Sequence, residues 1–139
     1  MTTTYATDAQ IQLRSSFGSD ALAAINAARA RRSESATTLD AYRVEAQRQI
    51  LVALRSRDPS ILPEDITRPD DLIESEVCLS LALLCEAATQ KGASRDQTTV
   101  DLFGQEAARW RERYDLAIAQ ASPVDGIRGV GRSFAWSRA

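Results

Sequence analysis

The feature that most constrains this fold is a segment from Leu72 to Cys85 that is apolar on nearly every side. Its leucine, isoleucine and valine residues together cover almost the whole circumference of a helix: Leu72, Ile73, Val77, Leu79, Leu81, Leu83 and Leu84. A helix that is apolar all round is surrounded by other helices. Its longest apolar stretch, Val77 to Cys85, has nine residues, far fewer than the roughly 20 that span a bilayer. The sequence therefore predicts a central core helix, ending at Lys91-Gly92, with no membrane span.

Two longer amphipathic segments are predicted to pack around that helix. One runs from Thr37 or Thr38 to about Arg57 and the other from about Asp96 to Gln120, each with apolar residues at intervals of three and four. Between them, the three prolines of residues 59–69 interrupt the helical period and predict an ordered or semi-ordered connector. We therefore expect an all-α fold, a small bundle of about five helices over residues 1–122.

The beginning of the chain predicts two short helices. Thr7 and Gln10 have capping-box spacing at the start of the first helix, and Phe17-Gly18 would end it, with Gly18 in the left-handed position after the helix. Ser19 would then cap the second helix. This arrangement is compatible with a DNA-binding helix-turn-helix, which is the main alternative function. A DNA reader needs base-contacting side chains where the second helix starts, whereas residues 20–24 read Asp-Ala-Leu-Ala-Ala.

The last seventeen residues, 123–139, differ in kind from the rest of the chain. Three glycines, at 126, 129 and 131, disfavour a stable helix. In an extended conformation, alternate large residues would share one face, and arginine and large aromatic residues are the usual anchors of protein interfaces. We interpret the segment as an extended C-terminal arm that inserts into a partner; the alternatives are that it folds back on its own domain or is exposed. Its candidate contacts are Arg128, Arg132, Phe134, Trp136 and Arg138.

Charge is distributed unevenly along the chain, although the net charge is only -2. Between residues 58 and 76, seven acids face a single arginine, Arg68. After residue 123, three arginines face a single acid, Asp125. An acidic middle and a basic end could pair within one chain or between neighbouring copies. The candidate acidic side consists of Glu64, Asp65, Asp70 and Asp71.

Nothing in the sequence indicates catalysis. The chain has no histidine, which is the most usual general base and metal ligand. Cys78 and Cys85 are seven positions apart, about 10 Å along a helix and too far apart for a disulfide, so we expect buried free thiols. No glycine-rich phosphate loop follows a strand. We expect no enzyme activity, no metal and no cofactor.

The order of the motifs resembles the Mu-like family of phage head–tail connector proteins. Tyr5-Ala6-Thr7, Phe17-Gly18 and Leu22 match the opening of that family. A long helix, a proline-bearing connector at Leu62-Pro63, an apolar helix and a charged helix with Trp110 follow in the same order. The resemblance covers roughly residues 5–120. It departs from the pattern at Ser16, where arginine is common, and the arm lies outside it.

The resemblance implies a structural virion protein, present in the host cytoplasm during assembly and then at the head–tail interface. Such proteins form a ring, usually twelve-fold, beneath the portal protein, and they offer a lower surface to a tail or stopper protein. Phage DNA passes through the channel without being read. A ring needs two different patches on each subunit. We expect the acidic side and the arginine-bearing faces of the third and fifth helices to supply them, with the arm binding the portal.

Overall fold

The computed structural model describes residues 5–90 and 96–123. Within these residues the chain forms five α-helices and two 3₁₀ turns, and it forms no β-strand. The all-α bundle predicted from the sequence is therefore confirmed. The helices are α1 (Asp8–Arg14), α2 (Phe17–Arg31), α3 (Leu39–Arg57), α4 (Ile73–Ala88) and α5 (Gln97–Gln120), and the 3₁₀ turns are Pro63–Asp65 and Pro69–Leu72.

Helix α4 is the central element, as its all-round apolar pattern predicts. Eleven of its sixteen residues are buried, and α1, α2, α3 and α5 all pack on it. It ends at Ala88, not at the predicted Lys91-Gly92. The reason is local: the backbone N–H and the hydroxyl of Thr89 both donate to the carbonyl of Glu86, at 3.1 and 2.6 Å. This tight turn replaces the next α-helical hydrogen bond.

The long helices α3 and α5 begin and end close to the predicted positions. Thr38 precedes α3 and Asp58 follows it, while the carboxylate of Asp96 accepts the N–H of Thr98 at the start of α5. Each helix buries one stripe of apolar residues and leaves the opposite side in solvent. The buried residues are Leu39, Ala46, Ile50 and Leu54 on α3, and Phe103, Ala107, Trp110, Tyr114 and Ile118 on α5.

The corner between α1 and α2 differs from the prediction. The capping box at Thr7 and Gln10 is present, but α1 ends at Arg14 and α2 begins at Phe17. The assignment of Gly18 as the left-handed residue after α1, with Ser19 as a cap, was therefore wrong. Gly18 lies in the first turn of α2 and is buried, because its lack of a side chain lets α2 approach α4 closely.

The connector after α3 is ordered, as expected, and it is joined to the end of α5. The backbone N–H groups of Thr67 and Arg68 donate to the carbonyl of Pro123, at 3.0 and 2.9 Å. Ile61 and Pro123 are both fully buried. The packed body therefore extends to Pro123, one residue beyond the predicted boundary at 122.

Candidate functional site

The part of the chain that the structure describes contains no group of three or more histidine, cysteine, aspartate or glutamate residues placed to hold a metal. Cys78 and Cys85 are buried and free, as the sequence predicts. Burial raises the pKa of both thiols to about 12. The carboxylate of Glu74, which accepts the Cys78 thiol at 3.5 Å, acts in the same direction. At neutral pH both thiols are therefore protonated and poor nucleophiles.

The predicted acidic side lies on the connector. Glu64 and Asp65 belong to the first 3₁₀ turn, and Asp70 and Asp71 belong to the second. Three of them are exposed, whereas Asp65 is half-buried and accepts the N–H of Leu62 at 2.8 Å. Asp65 therefore has a structural role in the turn, which leaves Glu64, Asp70 and Asp71 as the exposed acids of the connector.

The other acids of residues 58–76 bind inside the molecule. Asp58 is buried and accepts the backbone N–H and the hydroxyl of Ser60, at 3.1 and 2.6 Å. Glu74 forms a two-pronged ion pair with Arg14 of α1, and this hydrogen bonding is the main cause that lowers the pKa of Glu74. The acidic run in the sequence is therefore not one continuous surface.

Glu76 has a role that the sequence pattern did not reveal. It is fully buried, and its carboxylate accepts the backbone N–H groups of Tyr5 and Ala6, at 2.8 and 3.2 Å. The guanidinium of Arg43 donates to the carbonyl of Ala6 at 2.7 Å and also pairs with Asp8. Together, α3 and α4 hold the N-terminal segment in place. The sequence feature that could have indicated this role is a charged residue within a largely apolar helix.

Most arginines on α3 and α5 pair within the chain. Arg43 binds Asp8 and Asp40, Arg48 binds Glu45, and Arg111 binds Glu86. Exposed pairs of this kind contribute about 0–1 kcal/mol each. The guanidinium of Arg113 lies 4.8 Å from the ring centroid of Trp110.

Several pockets open along α5, and two of them hold an exposed leucine side chain. The near pocket, of about 500 Å³, adjoins the end of α5 and the start of α4, and it is lined by Asp71, Glu74, Arg113, Leu116, Gln120 and Ser122. The far pocket, of about 330 Å³, lies between α2 and the first turns of α5. It is lined by Phe17, Asp20, Ala23, Ala24, Leu102 and Phe103. Its aromatic side chains, Phe17 and Phe103, meet edge to face with their centroids 6.3 Å apart.

The apolar side chains at these pockets are unusually open to solvent. Leu116 in the near pocket is 61% exposed, and Leu102 in the far pocket is 46% exposed. Exposed aliphatic residues beside a groove mark candidate interaction surfaces. Asp71, Glu74 and Arg113 add charge to the near pocket, and Asp20 adds a carboxylate to the far one, so both pockets combine apolar and charged side chains.

The corner between α1 and α2 presents few side chains that could contact the base edges of DNA. Gly18 and Ala21 are buried against the body, and the exposed charged residue of the first turn is Asp20. At the other end of α2, Arg29 and Arg32 both pair with Glu34. Glu34 therefore offsets part of the positive charge at this end of the helix.

The candidate arm contacts Arg128, Arg132, Phe134, Trp136 and Arg138 lie outside the described residues. Among residues 5–90 and 96–123, no helix is both long and apolar enough to cross a membrane. Comparisons with protein-family models, with curated proteins and with solved structures gave no match.

Proposed function

We propose that this protein is a phage head–tail connector that forms a ring under the portal and joins the DNA-filled capsid to the tail. The proposal rests on the resemblance of residues 5–120 to the Mu-like connectors and on one structural observation. The connector that bears Glu64, Asp70 and Asp71 is hydrogen-bonded directly to Pro123, where the basic arm begins. An acidic surface and a basic, aromatic extension therefore start from the same place on the body.

This arrangement suits a subunit with two kinds of contact. In a ring, each copy presents one patch to the neighbour on its left and a different patch to the neighbour on its right. The exposed acids of the connector form one patch. The opposing patch includes Arg55 of α3 and Arg109 of α5, which are exposed. Arg109 is held only loosely, with Glu106 at 3.7 Å.

The arm forms the second kind of contact. Arg128, Arg132, Phe134, Trp136 and Arg138 combine positive charge with large aromatic surface, the composition of interface anchors. In this proposal the arm binds the portal protein within a twelve-fold ring, as in the connectors that the chain resembles, and the opposite end of the ring receives the tail or stopper protein. DNA passes through the channel without sequence reading. The protein is made in the host cytoplasm and ends in the virion.

The acidic patch provides the first test. The triple variant Glu64→Gln, Asp70→Asn, Asp71→Asn keeps Asp65, whose carboxylate holds the turn. We expect it to fold normally and to form rings at least tenfold less efficiently at low salt, measured by analytical ultracentrifugation and electron microscopy. The matched control, Asp101→Asn, Glu112→Gln, Asp115→Asn, removes the same number of exposed acids from α5 and should assemble normally. Equal assembly of both variants contradicts the proposed interface.

A further inference from the structure

We propose that in the free protein the C-terminal arm, residues 124–139, docks on its own body along α5, with Phe134 and Trp136 in the far pocket. The inference concerns the isolated chain and does not depend on the connector function. If the connector function also holds, binding to the portal must displace the arm from the far pocket.

The starting point of the arm is fixed. The carbonyl of Pro123 accepts two backbone N–H groups from Thr67 and Arg68, and Pro123 itself is fully buried. Ser122 lines the near pocket. The last described residue, Pro123, therefore directly follows a residue of the near pocket, which also holds the exposed side chain of Leu116.

The two pockets lie on the same side of α5. At 3.6 residues per turn, Leu102, Arg113, Leu116 and Gln120 fall within about 60° around the helix axis. The pockets are centred about 16 residues apart along α5, which corresponds to about 24 Å. A chain that turns back at Pro123 therefore passes over the near pocket and then reaches the far one.

Each pocket has a second wall besides α5. The near pocket is bordered by Asp71 of the second 3₁₀ turn and by Glu74 of α4. The far pocket is bordered by α2, and both α2 and α5 pack on α4. In α2, Gly18 lies directly against Leu81 of α4.

The length of the arm matches that path. Phe134 is eleven residues beyond Pro123, and an extended chain of that length spans about 36 Å at about 3.3 Å per residue. The far pocket is about 24 Å beyond the near one, so the aromatic residues reach it with slack for the turn at Pro123. Ile127, only four residues past Pro123, lies within reach of Leu116.

The chemistry of the far pocket suits the tip of the arm. Phe17 is half-buried and Phe103 is buried, and both line the pocket next to the exposed Leu102. Aromatic side chains that pack edge to face against such rings gain more than their area burial alone supplies. Asp20, an exposed carboxylate on the rim of the pocket, can pair with Arg132 or Arg138, which flank the two aromatic residues.

Docking within one chain is favoured over docking on a second copy because the arm is tethered. A short tether gives a local concentration in the millimolar range when its length matches the span. A second copy at micromolar concentration cannot compete with this unless it offers additional contacts. The arm therefore occupies its own groove in dilute solution.

Disulfide trapping in the full-length chain tests the inference. The pair Ala23→Cys with Arg138→Cys places one thiol in the far pocket and the other on the same face of the extended arm as Phe134 and Trp136, leaving both aromatic residues intact. The control pair, Val52→Cys with Arg138→Cys, uses an exposed position on α3. Under mild oxidation at micromolar protein, we expect the first pair to form an intramolecular disulfide at least tenfold faster than the control. The native thiols are buried and should not take part.

Equal rates for the two pairs, or disulfide-linked dimers as the main product of the first pair, would overturn docking within one chain. A second measurement does not need new thiols. Leu102→Asp should increase the acrylamide quenching of Trp136 about twofold, because it places a charge in the far pocket, while Val52→Asp should not change it. Trp110 is buried in both variants and contributes a constant background. Unchanged quenching in Leu102→Asp would contradict the inference independently.

Discussion

Gly18 of α2 lies so close to Leu81 of α4 that a Cβ atom added at residue 18 would be 2.9 Å from Leu81 Cδ2. Leu81 is fully buried in the centre of the bundle, so it cannot move away into solvent. This contact sets the distance between the two helices. It also gives the glycine a packing role in place of the turn role that its position after Phe17 had indicated.

Gly18→Ala should therefore destabilise the protein by about 1 kcal/mol. Overpacking a tight core costs about 1–3 kcal/mol, and the better helix propensity of alanine recovers only up to about 1 kcal/mol. Gly104→Ala is the matched control, because its Cβ would meet only Thr89 Cγ2 at an ordinary 3.8 Å. That variant should gain about 0.5–1 kcal/mol. Urea unfolding measures both, and a change of the same sign in the two variants would argue against the close packing of α2 on α4.

Removal of the Glu76 carboxylate should loosen the N-terminal segment. Glu76→Ala leaves the N–H groups of Tyr5 and Ala6 without the acceptor they have in the native fold. Hydrogen bonds to a charged group contribute about 1.5–3 kcal/mol each, so we expect a loss of at least 2 kcal/mol, with faster amide exchange at residues 5 and 6. Glu64→Ala, on the exposed connector, should change the free energy of unfolding by less than about 0.5 kcal/mol. Similar values for the two variants would contradict the role of Glu76.

The two thiols should make stability fall at alkaline pH. Burial raises the pKa of Cys78 and Cys85 to about 12 in the folded protein, whereas the ordinary pKa of a thiol is 9.0. Below pH 9 both states are protonated and the full stability is present. Between pH 9 and about 12 the unfolded state loses protons first, so the free energy of unfolding decreases. The double variant Cys78→Ala, Cys85→Ala should show a shallower decrease over that range in urea titrations; identical slopes would show that the thiols do not contribute.

Glu45 should titrate at an unusually low pH. Hydrogen bonds from Arg48 and then from Gln49 lower the pKa of this carboxyl from 4.5 to about 2. In Arg48→Met the main cause is removed, and the pKa should rise toward its usual value, which carbon-detected NMR can follow. Because the pair is on the surface, the accompanying loss of stability should be small, and it should vanish as the pH falls below the folded pKa. A pKa near 4.5 in the unsubstituted protein would contradict the pairing.

The elements with strong periodic patterns were predictable from the sequence. The apolar circumference of α4 predicted a central helix, and the stripes of α3 and α5 predicted their bounds within a residue or two. The corner between α1 and α2 was not predictable in the same way. A Phe-Gly pair is compatible with the end of a helix and also with a close crossing of two helices. Only the position of Leu81 on α4 shows that the second applies here.

The acidic run shows a similar limit. In the sequence, four acids of this segment look equivalent: Glu64, Asp70, Glu74 and Glu76. In the fold, the first two are exposed, whereas the last two bind partners within the chain. Arg14 pairs with Glu74 and the N-terminal backbone pairs with Glu76, and both partners come from more than 55 positions away. Long-range partners of this kind leave no local signature. The exposed members, Glu64 and Asp70, lie on the proline-bearing connector, as is usual for segments between helices.

The most direct test of the connector proposal is electron microscopy of the full-length protein mixed with the portal protein encoded in the same genome. The proposal predicts a twelve-fold ring of additional density beneath the portal. This density is lost in the double variant Phe134→Ala, Trp136→Ala, although that variant stays folded. A protein that leaves the portal bare, and instead binds duplex DNA with an affinity that falls steeply as salt rises, would contradict it.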